Sequence, residues 1–478
     1  MQKTAPRVVV VMAMLVAMGV IAFAWAPGLR APYQYDDHVT PVKDPASQSL
    51  GAWAAHIPET LRPLTKLTFA VESSVGMTSA PARRVFESVL FLLVVVVLGF
   101  LVHAFTATAR LRNLHALFAI AAATLFAVHP VHAESVLALA GRSALLSLFF
   151  TLASALALVH RRHALTVALA VAAVLARETA IVWLVVVTGL VVAERYRTGD
   201  TGAPRARVAV AMITAALIGA LVVFTSPRMR ALVAFAWSDG STFDLLGLQW
   251  AALPFGIFRF LTAPSSFTVD MEFAPHGAIR FVLIVVTACL YVVLVWLVLR
   301  ARSRDVRIAS AIVLALVVPT HSVFPKLDAL TARDVSTSSA AFVCLIAALV
   351  GTWRKRTPVQ EHTGGARALV VTGALLVALA LTSFLVVKTR ARAALQQDPI
   401  ALWRDAARKT ATSTRPLKNY GTLCSQHGLL DEAHAAFTEA VRRQPHDFDA
   451  RERLVAVETL IETRDLLQRP RAPESEQP

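Results

Sequence analysis

Cysteine is scarce: there are three in 478 residues. Cys289 and Cys344 fall in apolar runs and Cys424 in the C-terminal tail. An odd count with no paired spacing argues against a disulfide framework. Charge is scarce too, at 16% of residues, against about 25% in ordinary soluble domains. What charge there is leans one way, 47 Lys and Arg against 31 Asp and Glu, and only eight of the basic residues are lysine. A net charge of +16 in a soluble chain would suggest nucleic acid. Here the basic residues sit in short loops between apolar runs, so no nucleic-acid partner is expected and the pattern reads as membrane topology.

Hydrophobic residues make up 56% of the chain, and the mean hydropathy is +0.59. Runs at 8–25, 89–105, 144–159, 208–224, 281–299 and 368–387 match or approach the length that crosses a bilayer. The fold class expected is all-α, a polytopic membrane helix bundle with a small helical tail. Ala22-Phe23-Ala24 resembles a signal-cleavage site, but the run is long for a signal and continues through Trp25, so a retained first helix is expected.

Short basic loops stay cytoplasmic. Lys3/Arg7, Arg110/Arg112, Arg161/Arg162, Arg195/Arg197/Arg205/Arg207, Arg300/Arg302/Arg304/Arg307 and Arg354/Lys355/Arg356/Arg367 therefore mark the inside. Helix 1 (8–26) leads out to a polar loop, 27–84, and helix 2 (85–106) returns. Helix 3 (114–128) exits at His129 and helix 4 (143–159) re-enters. Helices at 164–175 and 180–193 form a hairpin whose outer corner is Arg177-Glu178, and a helix at 208–225 exits again. The stretch 249–278 is short in apolar residues and interrupted by Pro254 and Gly256. Parity makes it a re-entrant or interfacial segment, since irregular backbone at membrane depth survives only when covered by protein or lining a cavity. Spans at 308–320, 338–352 and 368–388 complete about eleven crossings.

The membrane domain is expected over 1–390, an extracytoplasmic helical domain over 391–467, and a disordered tail over 468–478. From Thr414 to Asp447 the spacing Gly421, Gly428, Ala433, Phe437, Ala440, Pro445 follows the tetratricopeptide (TPR) pattern. Small residues let two antiparallel helices approach, and Phe437 fills the gap between them. One such repeat buries too little alone, so the tail leans on the membrane domain, a protein partner or another copy.

Ionisable residues in or beside a membrane are functional candidates. Asp36-Asp37, flanked by Tyr33, Tyr35 and His38, is the first. One carboxylate of such a pair takes a proton while the other orients a group or a cation; the plainer reading is an acidic turn. His129-Pro130-Val131-His132-Ala133-Glu134 gathers ligand-type residues, but without the i, i+4 spacing of a zinc-peptidase helix. Arg142, Arg177-Glu178, Arg259 and Arg62 are further candidates, since guanidinium matches phosphate bidentately. All of them fall in outer loops or at the outer ends of spans.

With these residues in view, the chain resembles the TMTC-like protein O-mannosyltransferases, GT-C glycosyltransferases with C-terminal TPRs. Tyr35-Asp36-Asp37 is similar to that family's first-loop acidic motif. Arg62-Pro63-Leu64-Thr65 is similar to its Arg-Pro-Leu-Thr segment. His129-Pro130-Val131-His132-Ala133-Glu134-Ser135-Val136, then Gly141-Arg142, is similar to its His-Pro-x-His-x-Glu-x-Val run ending in Gly-Arg. Arg177-Glu178 stands where the family has Lys-Glu. Arg259 to Asp270 and Leu402-Trp403-Arg404-Asp405 resemble two further segments. One departure is Arg333 within Ala332-Arg333-Asp334-Val335-Ser336-Thr337, which keeps the Arg of a Glu-Arg…Tyr-x-Pro-Ser pattern and loses the rest.

The resemblance implies sugar transfer from a polyprenyl-phosphate donor to an acceptor hydroxyl on the non-cytoplasmic face, with inversion at the anomeric carbon. Asp36 or Asp37 would be the base, and which one is left open. His129, His132 and Glu134 would shape the site, with Arg62, Arg142, Arg177, Glu178, Arg259 and Arg333 around the lipid phosphate. Positive charge there would come from arginine or from a divalent cation such as Mg or Mn. Partners would be the lipid-linked sugar, a protein or glycan acceptor, membrane lipid, and a protein on the TPR tail. The alanine- and arginine-rich composition points to a GC-rich bacterial source, hence the cytoplasmic membrane. A non-catalytic TPR scaffold for envelope assembly is the alternative reading. A transporter is a third, and it lacks repeated halves or midplane charge in its support.

Overall fold

The computed structural model describes residues 5–34, 36–107, 112–197, 234, 242–273, 275–323, 328–356 and 364–468. The described residues are helical, with no strand among them. The expected helix at 208–225, the basic residues Lys3, Arg110, Arg205 and Arg207, Tyr35 of the acidic motif, and the tail from Arg469 lie outside the described residues.

The chain divides into two compact units. One spans Met1–Phe267 and Phe273–Gln397; the other spans Asp398–Pro478 together with Thr268–Glu272.

The first unit is a helix bundle. Its described helices are α1 (Ala5–Trp25), α2 (Leu50–His56), α3 (Pro63–Ser74), α4 (Ala80–Thr106), α5 (Arg112–Ala127), α6 (Ala133–Val136), α7 (Arg142–Val159), α8 (His163–Ala176), α9 (Ile181–Arg197), α10 (Thr242–Thr262), α11 (Gly277–Arg300), α12 (Arg304–Val318), α13 (Ala332–Arg356) and α14 (Gly364–Leu395). Seven of the described helices are long and apolar enough to cross a membrane, or eight if Asn113–Ala127 and Pro130–Val136, bent by 56°, form one broken span. The expected eleven included shorter helices: His163–Ala176 and Glu178–Ala193 fall below spanning length. Helix α12 is also short, and its residues from Ile308 to Val317 are buried inside the bundle.

Starts are set locally. Ser79 caps α4 through Ala82 N, with Pro81 in the first turn, and Ser303 caps α12 through Val306 N. Helix α4 is the central element, packed by α5, α7 and α13; its Leu98, Leu101, Val102 and Phe105 are fully buried. Close approach of α13 depends on Gly351, where a Cβ would strike the Phe105 carbonyl.

Contacts between elements define the two ends of the bundle. At one, Arg304 of α12 donates to the Leu158 and Val159 carbonyls ending α7 (2.7 and 2.9 Å), and Lys355 of α13 pairs with Asp305 (3.1 Å). A cation on the last carbonyls of a helix is favourable. At the other end lie the first turns of α4, α7 and α13 and the acidic loop. The segment expected to be broken at Pro254 is instead one helix, α10, continuous through that proline. Its Asp244 pairs with Arg280 in the first turn of α11 (2.6 Å), and its Phe260 carbonyl bonds to His129.

The second unit has helices α15 (Pro399–Lys409), α16 (Arg415–Gln426), α17 (Leu430–Arg443) and α18 (Phe448–Gln468). Asp398 caps α15 through Ile400 N and Ala401 N. Phe437 of α17 lies against Gly421 of α16, where a Cβ would come within 2.9 Å of its ring. Asp270 belongs here: Arg415 grips it with two bonds of 2.5 and 2.6 Å, and Glu272 accepts from the backbone N–H groups of Ala411 and Thr412.

Candidate functional site

The acidic pair is split by the backbone. Asp36 and Asp37 form a helical turn, in which consecutive side chains diverge by about 100°. Asp37 turns inward and is 1% exposed. Its carboxylate accepts from Ala140 N (3.1 Å), Gln34 N (3.2 Å) and Arg84 Nη2 (3.2 Å). Asp36 is exposed and holds no hydrogen bond or ion pair with the described residues.

Beneath Asp37 lies a charge network that the sequence reading missed. Arg84, 1% exposed, also donates to the carbonyls of Leu137 (2.8 Å), Pro32 (2.7 Å) and Ala31. Its neighbour Arg83 binds Pro41 O and Ser73 Oγ (both 2.8 Å) and lies 3.6 Å from Glu72. Arg142 is fully buried, pairs with Glu72 and Glu87 (2.8 Å each), and its guanidinium sits 3.8 Å over the Phe69 ring. Three arginines thus face three carboxylates, as buried charges require. Arg142, expected beside a ligand, is an interior strut that fixes α7 to α3 and α4. Arg83, Arg84 and Glu87 open an apolar run, and charge at that position was the signal available in the sequence.

The expected histidines also serve the interior. His132 is fully buried, bridging Phe126 O and Ser336 Oγ (both 2.7 Å). His129 contacts the Phe260 carbonyl (3.0 Å), accepts from Val131 N and stacks on the Phe260 ring at 4.1 Å. Glu134 is buried in α6. Among the described residues, no three His, Cys, Asp or Glu come together as metal ligands.

A basic cluster stands nearby on the first turns of α3, α7 and α13 and on the turn joining α8 to α9. Arg62 is left-handed at φ 65°, ψ 53°, a strained conformation for a side chain of this size, of the kind that collects at functional sites. It holds Glu178 with two bonds of 2.8 and 2.6 Å. Ser143 Oγ accepts from both Arg62 and Arg177 (3.4 Å each). Burial works to raise the Glu178 pKa, and the Arg62 contacts overcome it, bringing it to about 2. Burial and then the positive charges of Arg62 and Arg333, only partly offset by Glu178, lower Arg177 to about 10. Arg177, Arg333, Thr179 and Thr337 line one cleft, with Ser147 and Asp334. The Arg333 guanidinium has no hydrogen-bond or ion-pair partner among the described residues, and its Nε is buried.

Apolar cavities open from the same end. One, of about 610 Å³, lies between α10 and α13, lined by Gly256, Phe260, Val335 and Val343 with His321 and Ser338. The other, of about 1100 Å³, runs along α4, α5, α13 and α14, with His129 at its edge. They share Phe260, Leu261, Val343 and Ile346. Arg259, expected at the phosphate, lies over the Phe255 ring (4.6 Å).

The structure thus brings Arg62, Arg177, Glu178 and Arg333 together and leaves Asp36 open. It places His132, Arg142 and Asp37 in the interior. The chain matches no protein-family model, no curated protein and no solved structure.

Proposed function

We propose that this chain is a membrane glycosyltransferase of the GT-C type, TMTC-like, acting on a polyprenyl-phosphate sugar at the non-cytoplasmic face of the cytoplasmic membrane. The observation that carries the reading is the gathering of three features at one bundle end. These are an exposed carboxylate, a guanidinium without a partner among the described residues, and an apolar groove.

In this reading Asp36 is the base and Asp37 positions it. Asp36 takes the proton of the acceptor hydroxyl, and the hydroxyl oxygen attacks the anomeric carbon from the face opposite the phosphate. The bond from that carbon to the phosphate oxygen breaks, and the polyprenyl phosphate leaves with the electron pair. Arg333 and Arg177 stabilise that leaving charge, since guanidinium pairs with phosphate oxygens in a fork. The cavities sharing Phe260 and Ile346 take the prenyl chain from the bilayer. The hairpins of α15–α18 are read as TPR-like, in keeping with Gly421 against Phe437.

The test is transfer by purified protein from a panel of radiolabelled polyprenyl-phosphate sugars, with mass spectrometry of envelope glycans and glycoproteins from cells with and without the gene. Wild-type protein is expected to release labelled sugar to an acceptor, and Asp36→Asn to lose this with an unchanged unfolding midpoint. Normal transfer by Asp36→Asn would overturn the assignment.

A further inference from the structure

A groove on the far side of α5 belongs to neither the acidic loop nor the basic cluster. Helix α1 packs on α5 and α14 and stands off α4, leaving a space of about 830 Å³ between α1, α4 and α5. Small residues hollow it out: Ala17 of α1, Gly99 of α4, and Ala116, Ala119 and Ala123 of α5. A Cβ at Gly99 would meet only the Ala123 Cβ, at 3.6 Å. Helix α5 divides this groove from the larger cavity beside it, turning Ala119 and Ala123 to the one and Phe118 and Ala122 to the other. Just beyond Ile21 and Leu92, Trp25 and Phe91 meet edge to face, 6.1 Å between centroids, at one end of the groove. At the other end stands His103, in the last turn of α4. Its ring makes no hydrogen bond with the described residues, and its Nδ1 is buried.

An apolar space between membrane helices stays dry, and its lining forgoes dispersion contacts unless hydrocarbon fills it. The His103 end adds a polar requirement. His103 and Arg354 both lie close enough to His115 to act on it. Arg354 is exposed and makes no ion pair with the described residues, whereas Lys355 beside it is taken by Asp305 (3.1 Å). We infer that this groove binds one anionic phospholipid, with an acyl chain between α1 and α4 and the phosphate at His103 and Arg354. The imidazole N–H donates to a phosphate oxygen, and the guanidinium supplies the opposite charge. The inference stands apart from the catalytic reading, because loss of sugar transfer by Asp36→Asn leaves it untouched.

The experiment uses the full chain, stripped of lipid in detergent and titrated with phosphatidylglycerol or with phosphatidylcholine of the same acyl chains. Native mass spectrometry counts the lipid bound. One phosphatidylglycerol per chain is expected, preferred over phosphatidylcholine by about tenfold, as one charge-assisted hydrogen bond allows. Gly99→Leu, whose side chain fills the groove, should abolish the adduct. Gly19→Leu, on α1 where nothing lies within 4 Å, should keep it. His103→Phe and Arg354→Gln should each cut the preference by about threefold or more, with phosphatidylcholine binding unchanged. The Asp36→Asn protein should bind as the wild type does. Equal affinity for the two lipids, an adduct retained by Gly99→Leu, an unchanged preference in both His103→Phe and Arg354→Gln, or a protein dimer in place of a lipid adduct would overturn the inference.

Discussion

Glu178→Gln is the sharpest probe of the basic cluster, because it removes one charge and keeps the shape. A carboxyl whose pKa drops from 4.5 to about 2 on folding stabilises the fold by about 3 kcal/mol at neutral pH. Glu178 is mostly buried, with its side chain 16% exposed, so solvent screening trims that figure only modestly. The sign follows from the depressed pKa: the stabilisation is complete above the ordinary carboxyl range and is lost as pH falls toward 2. Thermal unfolding in detergent should therefore show Glu178→Gln less stable by about 2–3 kcal/mol at pH 7, with a constant deficit down to about pH 5. Below that the two proteins should converge. Arg62→Lys should reproduce part of the loss, since an ammonium cannot hold both carboxylate oxygens in one fork. A deficit that does not change with pH would refute the reasoning, because packing and not charge would then be responsible. No deficit at all would mean that the strained Arg62 is held by something else.

Three further outcomes are expected. Arg84→Met should destabilise the protein by about 3–5 kcal/mol, because it leaves the buried Asp37 carboxylate without its counter-charge; the unfolding midpoint measures it, and a neutral result would contradict the buried network. Gly351→Ala should push α13 off α4, seen as poor yield of monodisperse protein, while Gly373→Ala, where nothing lies within 4 Å, should behave as wild type. Arg333→Gln should raise the KM for a polyprenyl-phosphate sugar by about tenfold or more, as expected for one lost charged hydrogen bond of roughly 1.5–3 kcal/mol, with the unfolding midpoint unchanged; an unaltered KM would remove Arg333 from the phosphate.

Much of this was legible in the sequence, and the misses have physical causes. Apolar length identified the membrane helices, but it could not rank short ones such as α8 and α12, which complete the bundle by burial. Pro254 was read as a break. A proline removes one backbone donor and crowds the preceding turn, yet α10 continues through it to Thr262, with Gly256 set close against Val335 and Leu330. The residue types of His132 and Arg142 suggested ligands. Those types also cross-link interiors, and only packing reveals that Ser336 and Glu87 are their partners. In the tail one contact was readable, because a small residue opposite a large one, Gly421 against Phe437, is encoded in spacing.

The acidic pair shows why two adjacent carboxylates in the sequence meet different surroundings in the fold. Adjacent residues on one helical turn point in different directions, so a buried network can hold at most one of them well. Arg84 and the Ala140 amide take Asp37, and that contact is what leaves Asp36 outward and open. The same division recurs in the basic cluster. Glu178 holds Arg62, while the Arg333 guanidinium has no partner among the described residues. In each case one member of a like-charged set is tied to the scaffold and another has no partner among the described residues. In the proposed glycosyltransferase reading, side chains without partners among the described residues, more than the number of charged residues, mark the chemistry. On that criterion Asp36 and Arg333 are the two residues whose substitution should change function while leaving stability intact.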